Sequence, residues 1–263
     1  MIEVNDAIVA SRAYPKAKLI YLDPPFWPGE KKRKKGSYEY SSVADTHATF
    51  LYYFERLFHN IWEILDQDGA MVVHCDWHFC HRFRLLGDEV FGIDNFVNHV
   101  VWCYTGPAVN KNSFPKKHDD ILIWRKSKEF KPNMIRVPYK GKLRVGGKTS
   151  WAGEEKDVEE YLKRGKLLED WWADIKPLNS TQKEKVGYPD QKPIALLERI
   201  INFATNPGDL VVDLFVGSGT TAVAAHNLGR TFRGCDIYSE AVELAKQRVA
   251  KLDGKQKEEK AKL

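Results

Sequence analysis

Two short clusters in this sequence carry residue types that could do chemistry. The first, Asp23-Pro24-Pro25-Phe26, follows an apolar run at 18–22. Two successive prolines fix the backbone and remove two amide donors. What remains is a carboxylate, carbonyl oxygens and a flat apolar ring. That set suits an exocyclic amine on a heteroaromatic base, whose lone pair is delocalised into the ring and is a poor nucleophile. Two acceptors, the Asp23 carboxylate and the Pro24 carbonyl, would take the two amine hydrogens and favour a pyramidal nitrogen. Phe26 would stack on a base taken out of a duplex. No covalent intermediate is required, and alignment with charge placement would supply most of the rate. On these four residues alone, a strand-ending Pro-Pro turn with an incidental Asp reads equally well.

The second cluster is Asp213-Leu214-Phe215-Val216-Gly217-Ser218-Gly219-Thr220-Thr221, between an apolar run and a helical pattern. Its glycines let backbone approach a ligand, and the helix start offers free N–H groups. Asp236 closes the next apolar run. In nucleotide-binding sheets an acidic residue there accepts hydrogen bonds from ribose hydroxyls. A carboxylate at Asp213 would repel a pyrophosphate but suits the ammonium of an amino-acid moiety. S-adenosyl-L-methionine has both that ammonium and a ribose. The competing reading is an ordinary βαβ turn.

Both clusters need strands to position them. Strands are predicted at 18–22, 70–75, 97–104, 121–125, 210–215 and 231–235, with 97–104 and 121–125 forming a pair. Helices are predicted from Thr46, where Leu51, Phe54, Leu57, Phe58, Ile61 and Leu65 recur at helical spacing, and at 79–91, 192–204, 218–228 and 239–252. Residues 27–45 read as a loop. Strands alternating with helices imply a parallel, doubly wound α/β sheet. Residues 126–187, rich in charge, Gly and Trp with weak periodicity, read as an insertion outside the main sheet. The Lys- and Glu-rich stretch 253–263 reads as a disordered tail.

Composition narrows the classes further. The 263 residues fit one catalytic domain carrying an insertion. A net charge of +5 permits a polyanionic partner without requiring one. Lys31, Lys32, Arg33, Lys34 and Lys35 form an unbroken basic run, which taken alone reads as a solvated loop. The 8 Trp, 11 Tyr and 13 Phe supply either a dense core or a surface for stacking bases. Cys75, Cys80, Cys103 and Cys235 form no CxxC pair, so neither a disulfide framework nor a zinc or other metal site is expected. Neither a signal peptide nor a membrane-length apolar run is present, which suggests an intracellular protein with no membrane partner.

In this order, the segments resemble the amino-methylating DNA methyltransferases of bacteria and their phages, in the class whose catalytic motif precedes the cofactor motif (the beta class). Asp23-Pro24-Pro25-Phe26 matches the family's catalytic DPPY/F motif, and Asp213 to Gly219 matches its cofactor motif. Tyr188-Pro189-Asp190-Gln191-Lys192-Pro193 resembles an HPTQKP-like segment that opens the helix before the cofactor strand. Asn5-Asp6 resembles a Gly-Asp pair that contacts the cofactor adenine. His74-Cys75-Asp76 and His118-Asp119 resemble segments that shape the target and cofactor clefts.

The resemblance implies a circularly permuted, mostly parallel seven-stranded sheet that binds S-adenosyl-L-methionine. Catalysis would fall to Asp23, Pro24, Pro25 and Phe26. The cofactor would be held by Asp6, Lys192, Pro193, Asp213, Phe215, Gly217, Ser218, Gly219, Thr220, Thr221 and Asp236. Residues 126–187 would hold much of the target-recognition region, with Arg136, Lys140, Lys142, Arg144 and Lys148 as candidate DNA contacts. The same setting turns the basic run at 31–35 into a phosphate contact on double-stranded DNA.

The implied reaction is site-specific methylation of adenine N6, with cytosine N4 as the near alternative. Asp23 favours adenine, because the cytosine enzymes more often carry Ser there. An RNA methyltransferase and a catalytically silent nucleic-acid-binding subunit are further alternatives. The resemblance also implies the cytoplasm of a bacterium or phage-infected cell, leaves a homodimer open, and allows a cognate restriction endonuclease as companion.

Overall fold

The computed structural model describes residues 1–25, 47–106, 111–138, 163–179 and 181–261, without the side chains of 253 and 255–261. In chain order the elements are β1 (Ile2–Val4), α1 (Ala7–Ala13), β2 (Ala17–Leu22), α2 (His47–Ile64), β3 (Leu65–Cys75), α3 (Cys80–Phe91), β4 (Phe96–Cys103) and β5 (His118–Arg125). They continue with β6 (Arg136–Val137), β7 (Lys166–Leu167), β8 (Trp171–Trp172), α4 (Ile194–Ala204), β9 (Leu210–Asp213), α5 (Thr220–Asn227), β10 (Thr231–Asp236) and α6 (Ser239–Ala261).

The main sheet has the order β1-β10-β9-β2-β3-β5-β4-β8. From β1 to β3 every neighbouring pair is parallel, and β5 runs antiparallel to both β3 and β4. A parallel sheet is covered on both faces, so its strands read as continuous apolar runs. β2 shows why. Ile20 and Leu22 enter the core under α1, α2 and α3. Leu19 and Tyr21 enter the core under α4 and α5. Successive side chains of a strand point to opposite faces, so six residues serve two cores.

The register decides where the chemistry lies. β2 sits between β3 and β9, with Tyr21 opposite both Val72 and Asp213. The early Asp-Pro-Pro turn and the late glycine turn therefore leave the same end of adjacent strands. Ligands bind at the carboxyl ends of such strands. β1 pairs with β10 through Val4 and Asp236, which brings the Asn5-Asp6 segment to the same edge.

The structure departs from the sequence reading in four places. The short β1 and α1 were not predicted, because three strand residues and seven helical residues are too few to set a period. Among the described residues the sheet has eight strands, not seven. The eighth, β8, comes from the 126–187 segment read as lying outside the sheet, and it pairs parallel with β4. Burial of Trp172, whose Nε1 donates to Glu169 O at 2.9 Å, anchors it. Finally, the α6 backbone continues to Ala261 through the stretch read as a disordered tail. Lys, Glu, Gln and Ala are good helix formers even where no apolar face exists.

The glycine turn is fixed from behind. Gly219 has φ 80°, and a Cβ there would lie 2.6 Å from Cβ of Ala245 on α6. Gly219→Ala is expected to cost about 2 kcal/mol or more, combining overpacking of about 1–3 kcal/mol with about 1 kcal/mol for the left-handed backbone. A lower urea midpoint at unchanged m-value would show this.

Candidate active site

Asp23 leaves β2 at the centre of the sheet, and Pro24 beside it is buried. Its carboxylate meets the Lys192 ammonium, with Nζ 3.0 Å from Oδ1 and 2.9 Å from Oδ2. Lys192 is itself buried, just ahead of α4. Burial works against its charge, but Asp23 and Asp119 outweigh that effect and raise its pKa. The lysine is thus a fixed cation beneath the Asp-Pro-Pro turn. Asp190, whose carbonyl also accepts from Lys192 at 3.5 Å, has φ 52°. A left-handed backbone at a non-glycine residue is a local strain that the surrounding contacts must hold.

A second set of polar groups runs under the neighbouring strands. Tyr21 OH lies 2.9 Å from His74 Nδ1, and His74 Nε2 lies 3.0 Å from Asp119 Oδ2. Tyr104 OH donates to Asp119 Oδ1 at 2.9 Å. His74 is fully buried, so these bonds satisfy both its ring nitrogens. Burial alone would raise the Asp119 pKa. The His74 hydrogen bond and charge, Lys192 and Tyr104 together overcome it, and the carboxyl is held below its ordinary range. Asp119, Tyr104, Trp102, Tyr188 and Lys192 line a cavity of about 440 Å³.

The glycine turn faces this site from β9. Asp213 ends that strand, and its Oδ1 accepts from the Phe215 N–H at 2.9 Å. Complete burial pushes its carboxyl up to about 7, opposed by hydrogen bonds from Thr221 and Phe215 and reinforced by the charges of Asp23 and Asp236. Asp236, at the end of β10, accepts from Gly217 N at 2.8 Å and Tyr238 N at 3.0 Å. Burial raises its pKa as well, against those same N–H donors. The Tyr188 ring packs on Gly217, where a Cβ would lie 3.1 Å from it. Ser218 and Thr220 share a hydrogen bond of 3.0 Å, and Arg248 from α6 donates to Ser218 O at 2.7 Å.

Among the described residues, the cleft therefore gathers the carboxylates of Asp23, Asp119, Asp213 and Asp236, with the buried ammonium of Lys192 against Asp23. A ligand with a sulfonium and an ammonium fits that excess of negative charge. A pyrophosphate does not.

Those residues read as part of a site that fall among the described ones can now be placed. Asp23, Pro24, Pro25, Asp213, Phe215, Gly217, Ser218, Gly219, Thr220, Thr221 and Asp236 meet at one end of the sheet. Asp6 is at the same edge, but its Oδ1 caps α1 at Ile8 N and its Oδ2 accepts from Tyr53 OH. Lys192, read as a cofactor ligand, contacts Asp23 on the Asp-Pro-Pro side, while Pro193 is the N-cap of α4. Arg136 lies in β6, where its guanidinium donates to Gly165 O at 2.9 Å and holds the β6–β7 pair. Phe26, the run Lys31, Lys32, Arg33, Lys34 and Lys35, and Lys140, Lys142, Arg144 and Lys148 lie outside the described residues.

Tyr21, Tyr104 and Arg248 were not read from the sequence. Tyr21 is a lone hydroxyl inside an apolar strand, which was its only signal. Among the described residues, Cys80, His99 and Asp120 also bring ligand-type atoms within 4.8 Å of one another. They come from three separate elements, so no spacing motif could reveal them. His99 Nε2 already hydrogen-bonds Asp120 Oδ1 at 2.7 Å.

Known proteins resemble this chain over most of its length. M1.MboII of Moraxella bovis, a type II methyltransferase, is 30% identical over 87% of this chain and 87% of its own length. M.EcaI of Enterobacter cloacae, another, is 28% identical over 89% of this chain, which spans 65% of the length of that relative. The DNA adenine methyltransferase YhdJ of Escherichia coli is 27% identical over 93% of this chain and 81% of its own. Among solved structures, the M1.HpyAVI–SAM complex shares the fold at a TM-score of 0.61, with 23% identity over 95% of this chain and 98% of that one. The cytosine-N4-specific PvuII DNA methyltransferase does so at 0.66, with 17% identity over 93% of this chain and 84% of that one. The profile of the DNA methylase family, the N6/N4 methyltransferases, matches residues 17–247, and the chain belongs to that family.

Proposed function

We propose that this protein methylates N6 of adenine in a base flipped out of duplex DNA, using S-adenosyl-L-methionine. The observation that carries the reading is the meeting of Asp23 and the Asp213–Gly219 turn at the carboxyl ends of adjacent strands β2 and β9. When bound, the cofactor supplies a methyl group already activated on a sulfonium. Asp213 and Asp236 are the groups placed to hold its ammonium and ribose, with the Gly217 backbone beside them. Asp23 and the Pro24 carbonyl accept the two amine hydrogens and turn the nitrogen lone pair toward the donor. Lys192 fixes the position of the Asp23 carboxylate and offsets its charge. Substrate alignment of this kind is where most of the rate acceleration comes from.

Adenine is preferred because the first motif residue is Asp23. A second reading, methylation of cytosine N4, rests on the same two acceptors and on the fold shared with the cytosine-N4-specific PvuII enzyme. Target recognition belongs in this reading to residues 126–187, and phosphate contact to the basic run at 31–35. The named relatives M.EcaI and M1.MboII are type II methyltransferases, which supports a cognate restriction endonuclease as companion. Assembly as a homodimer is part of the same reading.

Two measurements test it. Purified protein, labelled cofactor and genomic DNA should yield N6-methyladenine in a digest. Asp23→Ala should reduce transfer by about a hundredfold or more while cofactor binding persists. N4-methylcytosine instead would select the second reading. Cofactor binding with no transfer to any nucleic acid would select a silent subunit, and transfer to RNA alone would overturn the choice of DNA.

The second measurement uses the raised Asp213 pKa. A carboxyl at about 7 in the native state and 3.8 in the unfolded chain binds more protons when folded. Its contribution to stability therefore falls as pH rises from about 4 through about 7. Asp213→Asn removes that charge, so the ligand-free variant should melt several degrees higher than the parent at pH 8, the gap shrinking toward pH 4. The same variant should bind the cofactor more weakly at pH 8, because the carboxylate that meets its ammonium is gone.

A further inference from the structure

The hairpin connecting β4 to β5 belongs to none of the DNA-contacting segments read from the sequence. Because β5 is antiparallel to β3, with Cys75 opposite Asp120, this connection lies at the carboxyl end of the parallel strands. Its far side leads directly into His118 and Asp119, the latter a wall of the cavity. Tyr104 N donates to Lys117 O at 2.9 Å and closes the base of the hairpin.

Phe114 stands on this hairpin with 93% of its surface exposed. A single exposed apolar side chain is ordinary, so exposure alone decides nothing. Three further observations narrow its role. First, Lys111, Lys116 and Lys117 share the connection, and residues 104–117 include no Asp or Glu. Second, the segment is held in place: the Lys116 ammonium donates to Ser113 Oγ at 2.6 Å and lies 5.2 Å from the centre of the Trp77 ring. Third, Trp77 follows β3 at the same end of the sheet, is 40% exposed, and has its ring 3.7 Å from that of His78. An apolar ring is therefore presented on a braced, purely cationic segment beside the cavity that would receive a base.

We propose that Phe114 is the wedge that enters the duplex where the target base leaves it, with Lys111 and Lys117 on the flanking phosphates. Resting on the methylation of duplex DNA proposed above, it names how the duplex is opened. Extrusion of a paired base leaves a gap in the stack and costs its pairing and stacking energy. An apolar side chain inserted at the step replaces the lost stacking. Burial of the phenyl ring then adds a stabilisation that is absent in the free protein.

The test uses the full chain, the cofactor, and two duplexes containing the sequence found methylated in genomic DNA. One duplex is fully paired, and the other places an abasic site opposite the target base. Phe114→Ala should lower kcat/KM on the paired duplex about tenfold or more and leave the abasic duplex within about twofold, since there the base is already unpaired. Phe114→Trp should retain activity on both, and 2-aminopurine at the target position should brighten with the parent protein but much less with Phe114→Ala. The melting temperature should not change, because the side chain is exposed. Equal loss on both duplexes, or no loss on either, overturns the wedge. A shift in sedimentation with no change in the ratio also overturns it, since it assigns Phe114 to a protein interface. If the parent methylates no duplex at all, the proposed function falls first, and this inference falls with it.

Discussion

A buried ammonium among carboxylates organises this cleft. Four acidic side chains at the ends of β2, β5, β9 and β10 would repel one another in a low-dielectric interior. Lys192 meets Asp23 directly and lies close enough to Asp119 to shift its pKa. Removing one partner of a buried charge pair leaves the other uncompensated, which is far costlier than losing a surface pair. The segment 188–193 thus has a dual position. Its tyrosine packs on the glycine turn and its lysine holds the Asp23 carboxylate, so one short stretch couples the two halves of the site. The balance is left negative around Asp213, whose carboxyl burial pushes up to about 7. A cationic ligand completes it.

The Asp-Pro-Pro and glycine turns were legible because backbone constraint writes itself into sequence. Two prolines after an apolar run can end a strand in few ways, and glycines at 217 and 219 occur where φ is 49° and 80°. The longer helices were legible for the same reason, with Phe54, Leu57, Phe58 and Ile61 on one buried face of α2. Side-chain partners were less legible. Nothing in the spacing of Lys192 says that it meets Asp23 across 169 positions of chain. The Tyr21–His74–Asp119–Tyr104 set draws on three strands and the residue that follows β4, and only its His and Asp lay in segments with a family resemblance.

Weak periodicity had a different cause in the segment from 126 to 187. Its described parts are held by individual anchors instead of a continuous apolar face. Lys126 donates to the carbonyls of Trp62 and Leu65, Asn133 Nδ2 donates to Asn202 O and Thr205 O, and Trp102 Nε1 donates to Ile175 O. Point contacts of this kind leave no repeat for a sequence to display. They also suit a region whose outer residues face a partner, since the anchors fix the backbone while the remaining positions stay free to vary.

The sheet order carries a consequence for how the protein comes into being. β1 waits for β10, and β2 for β9, pairings that join Ile2 to Gly234 and Leu19 to Val211. Pairings of such long sequence separation form late and slowly. A ribosome-bound chain would expose the apolar edges of β1 and β2 until the last strand had been synthesised. The pairing that joins the Asp-Pro-Pro turn to the glycine turn therefore cannot form in a nascent chain that stops short of β9.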